Sequence, residues 1–357
     1  MILTKFNRYI RTMLAGSSLH AEHAGRSRLW LSLMAVALIL QISALVLPFM
    51  QVKIFMKDPQ TFSLLHTVKL MWDEGLWVIA ILITGFSVIF PFIKITLLLR
   101  AWLWMRPGPG RTRLLEWMGR LGKWSMLDPF SVLVLVLLAS DQWAVTATTN
   151  LGVYAFLTAV ATTMWLSIAA SHLDAARIRE HEHRDHRRQS LARRSGWWGV
   201  AAIASILLAM TCFTLTLQVP FLRINQFLLT DEAYGVLKVP LTMLHERNWP
   251  LAFLSLVCLI LMPAVVLLAE LAAWLVPARP RMHLWRRRWI ALAREWCMLD
   301  VMGLALGLFL MEGQKFIRTD VEHGLWLLVV AALSLWLSGW ILARATEAGV
   351  RRMDAAA

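Results

Sequence analysis

The sequence predicts an all-α, polytopic membrane protein of about eight transmembrane helices, built as two parallel tandem four-helix repeats. Three observations carry that prediction. Over 357 residues the chain is 59% hydrophobic and only 16% charged, with 19 Trp, a balance that belongs to the membrane class. Its apolar residues gather into stretches close to the ~20 residues that cross a hydrocarbon core. Finally, sliding the sequence against itself by 172 residues brings rare residues into coincidence without a gap.

In chain order, a basic N-terminal segment, 1–28, precedes the first apolar run at Leu29. That run starts too far in, and is too long, for a cleavable signal, and reads as a retained span. The first four-helix unit covers 29–171, with spans at 29–50, 76–104, 124–140 and 151–171. A basic linker, 172–196, joins it to a second unit over 197–343, with spans at 197–217, 249–276, 296–312 and 324–343, and a tail over 344–357. The third and seventh spans are at the lower length limit, which leaves room for tilted or partly re-entrant helices.

Lys and Arg fix the expected orientation. Segments 1–28, 105–123, 172–196, 277–295 and 344–357 hold 26 of the 36, and the alternate loops 51–75, 141–150, 218–248 and 313–323 hold eight. Both termini are therefore expected in the cytoplasm. The net charge of +14 is read as topology-holding rather than as a nucleic-acid surface. In the longer outer loops, Phe62, Leu64, Leu65, Val68, Leu70 and Met71 form an amphipathic stretch, either a short interfacial helix or simple loop packing. Trp30, Trp77, Trp104, Trp143, Trp197 and Trp249 read as interfacial anchors.

The repeat rests on residues too rare to coincide through shared hydrophobicity. Pro48-Phe49 meets Pro220-Phe221, Trp77 meets Trp249, Pro91 meets Pro263, Trp102 meets Trp274, and Gly152 meets Gly324. The clearest block sets Trp124, Ser125, Met126, Leu127 and Asp128 against Trp296, Cys297, Met298, Leu299 and Asp300. An even number of spans per unit returns the second copy in the same orientation as the first.

Ionisable groups inside a bilayer cost about 2.5–3.5 kcal/mol each on insertion scales and so are functional candidates. Asp128 and Asp300 hold equivalent places at the starts of the third and seventh spans. Each is open to two readings, a first-turn carboxylate complementing the helix dipole or a buried polar, proton-handling group. Lys94 and Glu270 lie deeper, each in one copy only, opposite Val266 and Leu98. Pairing between them is one expectation, and snorkelling of Lys94 and Arg100 towards the interface is the other. Pro91 and Pro263 each remove a backbone hydrogen bond in mid-span and are helix-kink candidates.

The three cysteines include no CxxC pair, so neither a disulfide framework nor a zinc ribbon is expected. The cluster His181, His183 and His186 sits in the basic linker and reads as solvated chain. No metal or cofactor is expected, haem included, and no catalytic motif or nucleophile with a base can be named.

The Trp124–Asp128 block preceded by Gly122 and Lys123, the Pro91-Phe92-Ile93-Lys94 run, Pro48, and the duplicated four-span unit together resemble the paraquat-inducible protein A family. The resemblance covers about residues 30–343 and is fainter in the second copy, where Cys297 and Val266 replace the Ser and the Lys. It implies an inner-membrane component of a phospholipid transport system between membranes, working with a periplasmic MCE-domain partner. It further implies a polar site formed or bordered by Lys94, Lys123, Ser125 and Asp128, with any proton coupling on Asp128. Many members carry zinc-ribbon CxxC pairs, which this chain lacks.

Overall fold

The computed structural model describes residues 19, 24–54, 60–75, 77–106, 108–140, 145–180, 197–225, 231–275, 289–312 and 319–356. The His181–His186 cluster, Trp143 and most of the basic N-terminal segment lie outside them. Among the described residues six helices are long and apolar enough to cross a membrane: Ser27–Val46, Ala80–Leu103, Leu151–Ser171, Trp197–Gln218, Trp249–Leu275 and His323–Leu342. Large apolar side chains such as Leu29, Ile39, Ile81, Leu208, Leu268 and Leu333 lie exposed along these helices. Such surfaces suit lipid, and would be a liability in water. The chain is a multi-pass membrane protein.

The first half begins with α1 (Ala24–Val46), followed by the strands β1 (Pro48–Ile54) and β2 (Gln60–Ser63) and the short helix α2 (Leu64–Asp73). Ser63 caps α2 through its hydroxyl, which accepts from the His66 amide, as expected of an N-cap serine. The long second helix is built of α3 (Trp77–Ile83), a π-helical turn (Thr84–Ile89) and α4 (Phe90–Leu103). Then come α5 (Pro109–Gly122), a 3-10 turn (Lys123–Met126), α6 (Leu127–Ser140), β3 (Val145–Thr149) and α7 (Leu151–Glu180).

The second half repeats the order. It runs through α8 (Trp197–Gln218), β4 (Leu222–Asn225), β5 (Asp231–Tyr234), α9 (Lys238–His245), α10 (Trp249–Ser255), a π turn (Leu256–Leu261) and α11 (Met262–Leu275). A helix over 289–296, here α12, precedes α13 (Leu299–Glu312), β6 (Thr319–Val321) and α14 (His323–Ala356). Both π turns, both helices after them, and α6 and α13 start and end 172 residues apart. The tail expected after residue 343 continues α14 as helix.

Two features depart from the sequence reading. The fold is not purely helical, because each half closes one end with a three-stranded sheet, ordered β2-β1-β3 and β5-β4-β6, with β1–β2, β4–β5 and β4–β6 antiparallel. In addition, α6 and α13 have 14 residues each, about 21 Å of helix against about 30 Å of hydrocarbon, and each follows a break.

By contacts the chain forms two bodies, one holding the described residues up to Pro129 and from Ala147 to Glu180, the other Phe130–Thr146 and those from Trp197 on. In the first body α1 packs along α7, and the Trp30 ring stacks on Trp102 at 4.1 Å, with Trp165 beyond it. Trp30 is thus a core residue, 6% exposed, and not an interfacial anchor; Trp77, Trp104, Trp197 and Trp249 are exposed as anchors would be. The matching pair in the second body is α8 along α14.

The sheet end repeats in atomic detail. The Asn150 amide donates to the Phe49 carbonyl at 3.0 Å, and the Glu322 amide to the Phe221 carbonyl at 3.4 Å, 172 residues on. Gly152 and Gly324 seat the starts of α7 and α14 on the backbone of Pro48 and Pro220. A Cβ on Gly152 would stand 2.7 Å from the Pro48 carbonyl oxygen, closer than any real contact, so only glycine permits the approach.

Candidate polar site at the broken third helix

The site begins with a proline. Pro91 has no amide to give the carbonyl four residues back, that of Ser87. The chain answers with the π turn, in which the Phe90 amide reaches back five residues to Gly85, and such wide turns are a usual way to absorb a disturbed ladder. The Ser87 carbonyl receives the side-chain amide of Gln41, on α1, at 3.3 Å. The second half has a π turn at the equivalent place before Pro263, with the Met262 amide reaching Val257.

The break between α5 and α6 packs on this turn through the rings of Trp124 and Phe86, 6.2 Å apart. Lys94 lies on α4, one turn beyond Pro91, and is 1% exposed. Its ammonium sits against Gly122, the last residue of α5, where a Cβ would be 2.8 Å from Nζ. Gly122 is therefore the slot that admits the lysine. Ser125, in the 3-10 turn, and Asp128, the second residue of α6, are three residues apart, about one turn, and so lie on the same side.

Asp128 is 5% exposed, and the Ser87 hydroxyl lies beside its carboxyl group. Among the described residues Ser87 Oγ, Ser125 Oγ and Asp128 Oδ2 are shut off from solvent without a completed hydrogen bond. Leaving such a group unsatisfied costs about 1–3 kcal/mol. Three together around a helix break mark a place kept polar for a reason other than stability. The arrangement can hold or pass a proton at Asp128, or receive a ligand that offers hydrogen-bond donors.

The equivalent place in the second half has different chemistry. Glu270 is fully buried on α11, and its carboxylate is taken by Arg294 from α12, through Nε at 2.8 Å and Nη2 at 2.6 Å. Ser338, on α14, donates to the other carboxylate oxygen at 3.4 Å. Pairing of Glu270 with Lys94 was one of two expectations; the structure gives Glu270 the partner Arg294, within its own half. Asp300 is half-buried, and its Oδ1 accepts from the Val301 amide at 3.0 Å. The Met298 amide, at the break, donates to the Cys258 carbonyl of the π turn at 3.3 Å.

Of the residues singled out from sequence, Lys94, Ser125 and Asp128 border the first-half break. Lys123 turns its ammonium over the Trp124 ring at 5.8 Å. Lys94 does not snorkel, being buried, whereas Arg100 is exposed. Sequence reasoning missed Gln41, Ser87, Gly122, Arg294 and Ser338. The signal was available for two of them, because the 172-residue offset sets Arg294 opposite Gly122. Among the described residues no three His, Cys, Asp or Glu side chains converge as a metal site would require.

A model of the paraquat-inducible protein A family matches residues 27–179 and, a second time, residues 198–345. The chain belongs to that family. Neither a curated protein nor a solved structure matches it. Each of the two paraquat-inducible protein A matches takes in one whole copy of the site region, π turn and break together. The break with Ser125 and Asp128 and the break with Cys297 and Asp300 thus lie at equivalent places in the two matched copies.

Proposed function

We propose that the chain is the inner-membrane component of a phospholipid transport system between membranes, acting with an MCE-domain partner and without covalent catalysis. The observation that carries the reading is the buried polar break of the first half, within a helix system otherwise built for lipid. A phospholipid moving through such a protein needs apolar surface for its chains and a polar, cationic spot at depth for its headgroup. Lys94 supplies the charge and Ser87 and Ser125 supply hydroxyls. Asp128 is placed to couple movement to a proton.

The proposed topology has eight crossings, parallel repeats and both termini cytoplasmic. In the first half Arg111, at the start of α5, bonds Asp174, 23 residues along α7 from Leu151, about 35 Å from the sheet end. Residue 150 lies back at the sheet. The stretch 109–140 therefore has the whole thickness to travel, and α5 and α6 together, with the break between them, are long enough to do so. Broken helices of this kind put free backbone and polar groups at membrane depth.

Purification of the tagged chain from native membranes, followed by mass spectrometry of retained proteins and lipids, tests the reading. Recovery of an MCE-domain protein and phospholipid, with the lipid reduced in Asp128→Asn and Lys94→Ala, is the expected result. A folded preparation that retains neither points to a small-solute, proton-coupled transporter. A partner without lipid points to a membrane anchor.

A further inference from the structure

We infer that the two halves have divided the work: of the two equivalent breaks, that of the first half is the responsive polar site, and its counterpart in the second half is closed by an internal ion pair, Glu270 with Arg294. What the site handles rests on the functional reading above. The division itself rests on a comparison of equivalent positions.

The exchange between halves is reciprocal. Ser87, Lys94, Ser125 and Ser167 of the first half stand at the positions of Leu259, Val266, Cys297 and Gly339 in the second. In the first half the Ser125 and Ser167 hydroxyls are buried without a hydrogen-bond partner among the described residues, and that of Ser87 lies beside the Asp128 carboxyl. In the other direction, Leu98, Gly122 and Leu166 stand at the positions of Glu270, Arg294 and Ser338, and those three bond to one another. Each half thus places one cation between its second helix and the helix before the break. The first half sends it from α4 into a glycine slot, and the second sends it from α12 towards α11.

The substitutions are interdependent. An arginine at 122 would meet Lys94, and a lysine at 266 would meet Arg294, with like charges confined together in either case. The second-half pair also leaves no space beside it, because a Cβ on Gly339 would fall on the Arg294 guanidinium. The aspartates follow the same division. Asp128 has a buried oxygen without a donor, whereas Asp300 accepts from its neighbour's amide. A carboxylate already held by a guanidinium is less open to a ligand or a proton than one with a buried oxygen left without a donor.

Dicyclohexylcarbodiimide, a lipid-soluble reagent, tests this without knowledge of the substrate. It adds to a protonated buried carboxylic acid and rearranges to a stable N-acylurea, with no leaving group, and it spares a carboxylate held in an ion pair. The full chain in native membranes is treated, digested and mapped by mass spectrometry. Asp128 takes the label, with Glu270 and Asp300 at background, and Asp128→Asn abolishes the main adduct. Arg294→Met exposes Glu270 to the reagent, and Arg294→Lys, which keeps the charge, protects it. Labelling of Glu270 or Asp300 to the same extent as Asp128 in the unaltered chain overturns the division, as does an unlabelled Asp128. If the labels divide as expected but no lipid is retained on purification, the lipid reading fails and the division stands.

Discussion

Gln41 donates its side-chain amide to the Ser87 carbonyl at 3.3 Å, the carbonyl that Pro91 cannot serve. A polar residue in the middle of α1 thus answers a proline in the second helix. Replacing it with leucine keeps the volume but leaves the carbonyl without that donor, at a cost of about 1 kcal/mol. Thermal unfolding of Gln41→Leu in detergent is expected to show a lowered Tm. An unchanged Tm would mean that the π turn accommodates Pro91 without help from α1.

The pair Glu270 and Arg294 gives a sharper test, because the first half specifies what replaces it. Glu270→Leu alone removes the partner of a guanidinium that is 30% exposed and is expected to cost about 1–2 kcal/mol. The double change Glu270→Leu with Arg294→Gly installs the residues of positions 98 and 122 and should recover most of that loss. A double-mutant cycle on unfolding measures the coupling. A double variant no better than the worse single variant would refute it.

Two glycines that look alike in sequence should respond differently to the same change. At Gly122 the obstacle to a Cβ is the tip of the Lys94 side chain at 2.8 Å, which can swing away; at Gly152 it is backbone, the Pro48 carbonyl at 2.7 Å. Gly152→Ala is therefore expected to lose about 3 kcal/mol or fail to fold, as overpacking against a rigid neighbour does. Gly122→Ala should keep most of its stability while displacing Lys94. Comparison of the two melting curves decides, and equal losses would mean that Lys94 is held as firmly as backbone.

The sequence revealed the parts of this molecule that are local. Apolar runs located the six long helices, and the 172-residue offset located the repeat, because both are carried by residue type along the chain. The strands were invisible because β1 is completed by β3, about a hundred residues away, and neither has much pattern of its own. Trp30 was misread as an anchor because composition cannot say which face of a helix meets a neighbour. The partner of Glu270 was not legible because Arg294 falls in a stretch counted as basic loop, whereas α12 carries it to α11. Ser87 and Gln41 have nothing conspicuous in sequence, and only the proline's missing amide connects them.

The buried ion pair of the first half lies away from the break and tests whether α5 is held as a separate unit. Arg111 is fully buried; its Nε donates to Asp174 Oδ1 at 2.8 Å, and Nη2 donates to the same oxygen. Thr112 donates to the other oxygen at 2.6 Å. One aspartate on α7 therefore secures two consecutive residues at the start of α5. Asp174→Asn keeps the shape but leaves a buried guanidinium uncompensated, at a cost of about 3 kcal/mol. The chain enters α5 by a turn and leaves it by the 3-10 segment, so that although Leu115 and Met118 tie α5 to the core, the loss should be felt locally before it is felt globally. Hydrogen exchange followed by mass spectrometry is expected to quicken over 109–122 in the variant and stay unchanged over 197–218. Uniform acceleration along the chain would instead make the pair part of the global fold, and α5 would then not be an independently opening segment.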